Sequence, residues 1–100
     1  MGTWRVTLSE QAEIDLERAV AFIAQSNVAA AERIGLEIVE VIFTLDMLPA
    51  RGNPVKGRPG LRKAMHHPYV IIYRLHEAAR LVEIVRVWDG RLNPADLDLP

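Results

Sequence analysis

The spacing of the hydrophobic residues changes once along this chain, and that change limits the folds it can adopt. Between Glu10 and Met47, apolar residues recur every three or four positions, as on the faces of amphipathic helices. Between Leu61 and Trp88 they alternate or run together, as in strands that are buried on one or both faces. The two periods predict an α+β protein whose helices precede most of its strands.

Local signals place the boundaries of the predicted elements. Ser9 and Asn27 are suitable N-caps for two successive helices, and Pro49 stops the second helix because proline cannot continue it. Alternating apolar residues before Ser9 predict a further, N-terminal strand. The predicted helices span residues 10–24 and 28–47, and the predicted strands span residues 3–8, 61–66, 69–76 and 80–88.

The order of elements is therefore β-α-α-β-β-β. One hundred residues are enough for one two-layer core, so we expect a single domain over residues 1–100. The expected architecture has an N-terminal strand and an antiparallel helical hairpin that packs on one face of a small, mainly antiparallel sheet.

The second helix has two apolar stripes on nearly opposite sides, which is unusual for a helix that packs on a sheet. One stripe should face the sheet, and the other needs the first helix, a second copy of the chain or another protein to cover it. Gly35, between the stripes, suggests a close helix crossing. The sheet-facing stripe is Ala31, Ile34, Ile38, Val41, Ile42, Leu45 and Leu48, and the second is Leu36, Val39, Phe43 and Met47.

Strict alternation assigns two faces to the last two strands, and both faces are largely apolar. One face therefore carries the helices, and the other is expected to be partly covered as well. The first set is Val70, Ile72 and Arg74 with Val82, Ile84, Arg86 and Trp88; the second is Tyr69, Ile71, Tyr73 and Leu75 with Leu81, Val85 and Val87.

Charge is unevenly distributed although the net charge is only −1. Residues 1–50 hold 3 basic and 8 acidic residues, and residues 51–100 hold 9 basic and 5 acidic residues. Such a dipolar chain offers a positive face to a phosphate or to an acidic partner; the alternative is a solubilising surface. The absence of cysteine excludes disulfides and thiolate chemistry. With neither a signal peptide nor a membrane-length apolar run, this favours a cytoplasmic location.

Four stretches, in this order, resemble the RelE/ParE toxin superfamily of bacterial toxin–antitoxin pairs, and more closely its ParE or plasmid-stabilisation branch. Asp89 departs from that pattern, since most ParE-like chains have histidine there. The stretches are Leu8-Ser9 with Ala12-x-x-Asp15-Leu16; Ala30-Ala31 opening a long helix that ends Leu45-x-x-Leu48-Pro49; Gly57-Arg58-Pro59-Gly60-Leu61-Arg62; and Tyr69-Val70-Ile71-Ile72-Tyr73-Arg74 with Val82-Glu83-Ile84-Val85-Arg86-Val87-Trp88-Asp89-Gly90-Arg91.

The resemblance implies a cognate antitoxin, ParD-like or similar, whose segment wraps the toxin in a hetero-oligomer. Such segments are commonly acidic, which fits a basic face. The second stripe of the second helix, Leu36, Val39, Phe43 and Met47, is the expected antitoxin-binding surface. No cofactor, metal or membrane contact is expected.

Two activities follow from the resemblance. ParE-like toxins inhibit DNA gyrase by binding, without chemistry of their own, and the expected target-binding residues are Arg58, Arg62, Arg74, Arg86, Trp88 and Arg91, together with the C-terminal tail. Trp88 is alternatively a core side chain, and Arg74 and Arg86 alternatively pair with Glu83 or with the tail acids.

RelE-like toxins instead cleave messenger RNA on the ribosome, which requires a base, an acid and cations around the phosphorane. The cations here are Lys56, Arg58, Arg62, Arg86 and Arg91. The tail lacks the expected Tyr or His, so His66, or His67, is the acid–base candidate, unless both are simply turn residues. A third possibility is a degenerate toxin that only binds its antitoxin.

Overall fold

The computed structural model describes residues 4–92 together with Leu97 and Leu99. It has the predicted order of helices and main strands, so the α+β prediction is confirmed. Thr3, the first residue of the predicted N-terminal strand, lies outside the described residues. The elements are β1 (Arg5–Leu8), α1 (Glu10–Ala24), α2 (Val28–Thr44), β2 (Asn53–Pro54), β3 (Leu61–His66), β4 (Tyr69–His76) and β5 (Leu81–Asp89).

The strands form one mixed sheet in the order β1-β5-β4-β3-β2. β1 runs parallel to β5, and the other neighbours are antiparallel. The two-residue strand β2 was not predicted, because a pairing of Asn53 and Pro54 with β3 has no periodic signal in so short a segment. No helix among the described residues is long and apolar enough to cross a membrane.

Both helices begin at the predicted caps. The Ser9 hydroxyl accepts a hydrogen bond from the Ala12 amide at 3.0 Å, and the Asn27 side chain accepts one from the Ala30 amide at 2.9 Å. α2 ends at Thr44, three residues before the predicted Met47. The chain tightens there into i to i+3 hydrogen bonds, of which Leu45 N to Ile42 O is the first, a common way for a helix to end.

The helices pack on one face of the sheet and enclose the main core. Ile38 and Ile42 of α2 and Leu45, which follows it, are fully buried against that face, together with Tyr73 and Ile84 from the strands. The helices also cross closely, as Gly35 suggested: a Cβ atom there would lie 3.0 Å from a methyl carbon of Val20. Leu48 was predicted in the sheet-facing stripe but is 61% exposed, because α2 has ended before it and its period no longer applies.

A β-bulge in β5 changes which residues share a face. Ile72 pairs with Arg86 and Tyr73 pairs with Ile84, so Val85 is an extra residue in the ladder. Strict alternation was therefore wrong across this point. Val82 and Ile84 lie on the helix side, whereas Arg86 and Trp88, predicted to share their face, lie opposite Ile72 and Val70 on the other side.

The side of the sheet away from the helices, here called the outer face, carries a second apolar cluster. Leu61, Ile72 and Val85 are nearly fully buried there. Leu97 and Leu99 of the C-terminal segment pack against them, with Val55 and Val70 beside them. The expectation that both faces are at least partly covered is confirmed.

The two stripes of α2 predict different costs of truncation. Ile38→Ala empties a fully buried site, whereas Leu36→Ala trims a side chain that is 65% exposed. We expect Ile38→Ala to lower the free energy of unfolding by about 2–5 kcal/mol and Leu36→Ala by about 0.5 kcal/mol or less. Urea denaturation of both variants measures this difference, and similar losses would contradict the packing described here.

Candidate functional site

The structure brings three of the six predicted target-binding residues to the outer face. Arg74 lies opposite Leu61 and Glu83, and Arg86 and Trp88 lie opposite Ile72 and Val70. Trp88 is half-buried and is not a core residue under the helices. The guanidinium of Arg86 lies over its ring, 5.8 Å from the ring centroid, a cation–π contact that orders both side chains.

Asp15 of α1 holds Arg86 in this position. Arg86 donates from Nε to Oδ2 of Asp15 at 2.7 Å and from Nη2 to Oδ1 at 3.1 Å. Oδ2 also accepts the backbone amide of Val87 at 3.1 Å. The side chains are only 14% and 8% exposed, so this is a bidentate, largely desolvated ion pair between α1 and β5.

Asp15 belongs to one of the four stretches that resemble the toxin superfamily, but the sequence pattern predicts no role for it. Its position carried a usable signal, because Ala12 and Ala19 lie three residues before and four residues after it, on the buried side of the same helix. A carboxylate on that side needs a cation or amide donors. The position of its partner was not readable, since the bulge at Val85 decides where Arg86 points.

Arg74 pairs with Glu83, which was one of the two alternatives predicted for it. Its Nε lies 3.6 Å from Oε1 of Glu83, and Nε2 of His76 lies 2.9 Å from the same oxygen. The Arg74 Nε is buried and has no hydrogen-bond partner among the described residues. One carboxylate thus serves two potential cations, and the Arg74 guanidinium keeps capacity for a further acceptor.

Arg62 is turned away from the outer face and fastens the loop before β2. It donates to the carbonyls of Ala50 at 3.2 Å and Gly52 at 2.8 Å. The Gly52 amide in turn donates to the Tyr73 hydroxyl at 2.9 Å, and burial raises the pKa of that hydroxyl above its ordinary value. Gly52 is required here, because a Cβ atom would come within 2.6 Å of the same hydroxyl oxygen.

The remaining candidates are dispersed. Lys56 and Arg58 are exposed in the turn between β2 and β3. His66 lies on the helix side, with Nε2 3.7 Å from Oε2 of Glu37, and His67 is exposed in the following turn. Four residues of extended strand, about 13 Å, separate His66 from Arg62. In residues 4–92 with Leu97 and Leu99, no three potential metal ligands come together.

Arg91 folds back on Asp89, two residues before it. Its Nε and Nη2 donate to the two carboxylate oxygens of Asp89 at 3.0 and 2.9 Å. These hydrogen bonds hold the pKa of Asp89 below its ordinary value. Nearby Tyr69 has its pKa raised, first by burial and then by the negative charge of Asp89. The aspartate that departs from the family pattern therefore anchors a predicted target-binding arginine.

The second stripe of α2 is open to solvent. Leu36 is 65%, Phe43 51% and Met47 59% exposed, while Val39 is half-buried in a groove beside α1. Glu40 and Asp46 stand beside Phe43 and Met47. The sequence left open whether the first helix covers this stripe entirely, and the structure shows that it does not.

The C-terminal tail was predicted to take part in target binding. Residues 93–96, 98 and 100 lie outside the described residues. Leu99 lines a cavity of about 430 Å³ on the outer face next to Arg74, Glu83 and Arg86. Leu99 and two of the predicted arginines, Arg74 and Arg86, therefore lie on one surface.

Residues 6–94 match the family model described as the ParE toxin of the type II toxin–antitoxin system parDE. A relative, toxin ParE3 of Caulobacter vibrioides, is 31% identical over 93 residues, and the alignment covers 91% of each chain.

Solved structures show the same fold. A chain of the chromosomal ParDE toxin–antitoxin system of P. aeruginosa superposes with a TM-score of 0.73 at 19% identity, covering 84% of this chain and 92% of that one. A chain of the toxin–antitoxin complex RelBE2 of Mycobacterium tuberculosis gives 0.66 at 27% identity, covering 84% and 94%.

The Asp15–Arg86 pair predicts a large effect for an almost isosteric change. Asp15→Asn removes the charge of a carboxylate that binds Arg86 in a largely desolvated place, so we expect the free energy of unfolding to fall by about 3 kcal/mol. Asp89→Asn is the matched control, because its partner Arg91 is 64% exposed and water screens the pair. Equal stability of the two variants in thermal and urea unfolding would contradict this role of Asp15.

Proposed function

The chain belongs to the family of ParE toxins of type II toxin–antitoxin systems, and on that premise we propose that it inhibits DNA gyrase by binding and that a cognate antitoxin keeps it inactive. Gyrase acts on DNA in the cytoplasm, which is the location we infer for this chain. The outer face with Arg74, Arg86 and Trp88 is the proposed centre of the target-binding surface.

The dispersion of the groups that RNA cleavage requires carries this proposal. A developing phosphorane needs cations and an acid–base pair around one phosphate, at hydrogen-bond distances. Arg62 is bound to the carbonyls of Ala50 and Gly52, His66 lies on the helix side, and Arg86 is paired with Asp15 on the outer face. Tryptophan and arginine that are held rigid are instead typical anchors of protein interfaces.

Ribosome-dependent cleavage of messenger RNA is the second candidate. Lys56 and Arg58 favour it, because they are exposed and their side chains have no partner among the described residues. Two unpaired cations on one turn suit contact with RNA phosphates. The degenerate toxin, which binds its antitoxin and nothing else, predicts no activity in either assay.

We infer that the antitoxin covers the open stripe of α2, namely Leu36, Val39, Phe43 and Met47. Support comes from its exposure and from the groove between the helices, lined by Leu16, Val20 and Leu36. The acids along this stripe, Glu32, Glu40 and Asp46, favour an amphipathic segment whose apolar residues have basic neighbours. An acidic segment, as the resemblance suggested, fits the outer face better.

Pulse-labelling after induction of the free chain tests the target. Because gyrase inhibition stops replication first, we expect DNA synthesis to fall before protein synthesis, and the purified chain to inhibit gyrase supercoiling in vitro. Lys56→Ala with Arg58→Ala should leave both effects intact. If protein synthesis falls first and this double variant abolishes the effect, the chain is an mRNA-cleaving toxin.

The antitoxin surface is tested by charge insertion on α2. Leu36→Asp with Phe43→Asp should weaken binding of the cognate antitoxin by at least tenfold, because two exposed anchors become charged. Val28→Asp, also at an exposed apolar position of α2, is the control and should bind normally. Isothermal titration gives both affinities, and an unchanged affinity for the double variant would place the antitoxin elsewhere.

A further inference from the structure

A cleft opens between α1 and the C-terminal half of β5. β1 pairs with β5 only as far as Ile84, and β5 continues for five more residues to Asp89. Side chains cover this free edge: the Ser9 hydroxyl donates to the Val85 carbonyl at 3.0 Å, and Asp15 accepts the Val87 amide. These hydrogen bonds occupy backbone groups that an added strand would need. The cleft between α1 and β5 can therefore accept side chains of a partner but not a paired strand at these groups.

The cleft has a volume of about 440 Å³ and an aromatic lining. Tyr69 and Trp88 contribute from the sheet, and Phe22 contributes from the last turns of α1. Phe22 is 68% and Leu92 54% exposed, although both are large apolar residues. An exposed aromatic residue at the mouth of a preformed apolar cleft is a common feature of protein-binding sites.

The charges around the cleft are not balanced. Two arginines and two aspartates line it, and Arg91, which binds Asp89, lies beside it. Asp15 is occupied by Arg86, and Asp89 by Arg91. Arg18 is exposed and its side chain has no partner within residues 4–92, Leu97 and Leu99. The unpaired charge at the rim is therefore positive, in contrast to the acidic margin of the α2 stripe.

We propose that this cleft is a docking pocket for the target protein, which inserts a leucine or aromatic side chain beside Phe22 and Trp88 and places a neighbouring carboxylate against Arg18. This inference rests on the proposed function and extends the target surface from Arg86 and Trp88 around the edge of β5. The opposite charges of the cleft rim and of the α2 stripe assign these two apolar surfaces to different partners.

Two variants in the cleft test the proposal. Phe22→Ser removes the apolar wall and Arg18→Glu reverses the rim charge, and both side chains are exposed, so the fold should persist. We expect each to raise the concentration needed for half-inhibition of gyrase supercoiling at least tenfold. Val28→Ser on α2 and Arg5→Glu on β1, at the far end of β5, are the controls and should change it less than twofold.

Growth arrest by the same variants and their affinity for the antitoxin separate the possible failures. If the wild-type chain inhibits gyrase and the cleft variants do so equally well, the pocket is excluded and the gyrase proposal stands. If the wild type arrests growth without inhibiting gyrase, the gyrase proposal fails. In that case, loss of growth arrest in the cleft variants, with unchanged antitoxin binding, supports the pocket. Retained growth arrest in these variants overturns the pocket. A wild-type chain that does neither overturns both.

Discussion

The carboxylate of Asp15 is the contact on which the arrangement of helix, sheet and arginines depends. It binds two different kinds of donor on β5, the guanidinium of Arg86 and the amide of Val87, at the place where β1 no longer pairs with β5. It thereby accepts a backbone amide that a neighbouring strand would otherwise bind, and it holds α1 along the edge of the sheet. Burying this ion pair has a desolvation cost. Its bidentate hydrogen bonds hold the Arg86 side chain in one position.

The bulge at Val85 is the second element of that arrangement. Without the extra residue, Arg86 would follow Ile84 onto the helix side, where Ile38, Ile42 and Leu45 leave no place for a charge. With it, Val85 and Arg86 both lie on the outer face, where Arg86 contacts Trp88. A single inserted residue thus places the cation on the outer face, the proposed target-binding surface.

The sequence predicts the elements well and the faces poorly, for identifiable reasons. The caps at Ser9 and Asn27 and the change of hydrophobic period are signals carried by residues close together in the chain. The predicted starts of both helices and the predicted bounds of β3, β4 and β5 therefore agree with the structure to within about one residue. The bulge, the turn of Arg62 toward the loop and the partner of Asp15 depend on contacts between residues far apart in the chain. Periodicity contains no information about such contacts, and the predicted target residues were accordingly divided among several places.

The same long-range contacts bear on the choice between binding and chemistry. Arg62, Arg86 and Arg91 each have a guanidinium bonded to acceptors within the chain. An arginine held in this way offers less free charge to a phosphate that must be stabilised in a transition state. It also loses less side-chain entropy when another protein packs against it, which lowers the cost of association. Ordered arginines and the half-buried ring of Trp88 are therefore better suited to holding a protein partner than to cleaving RNA.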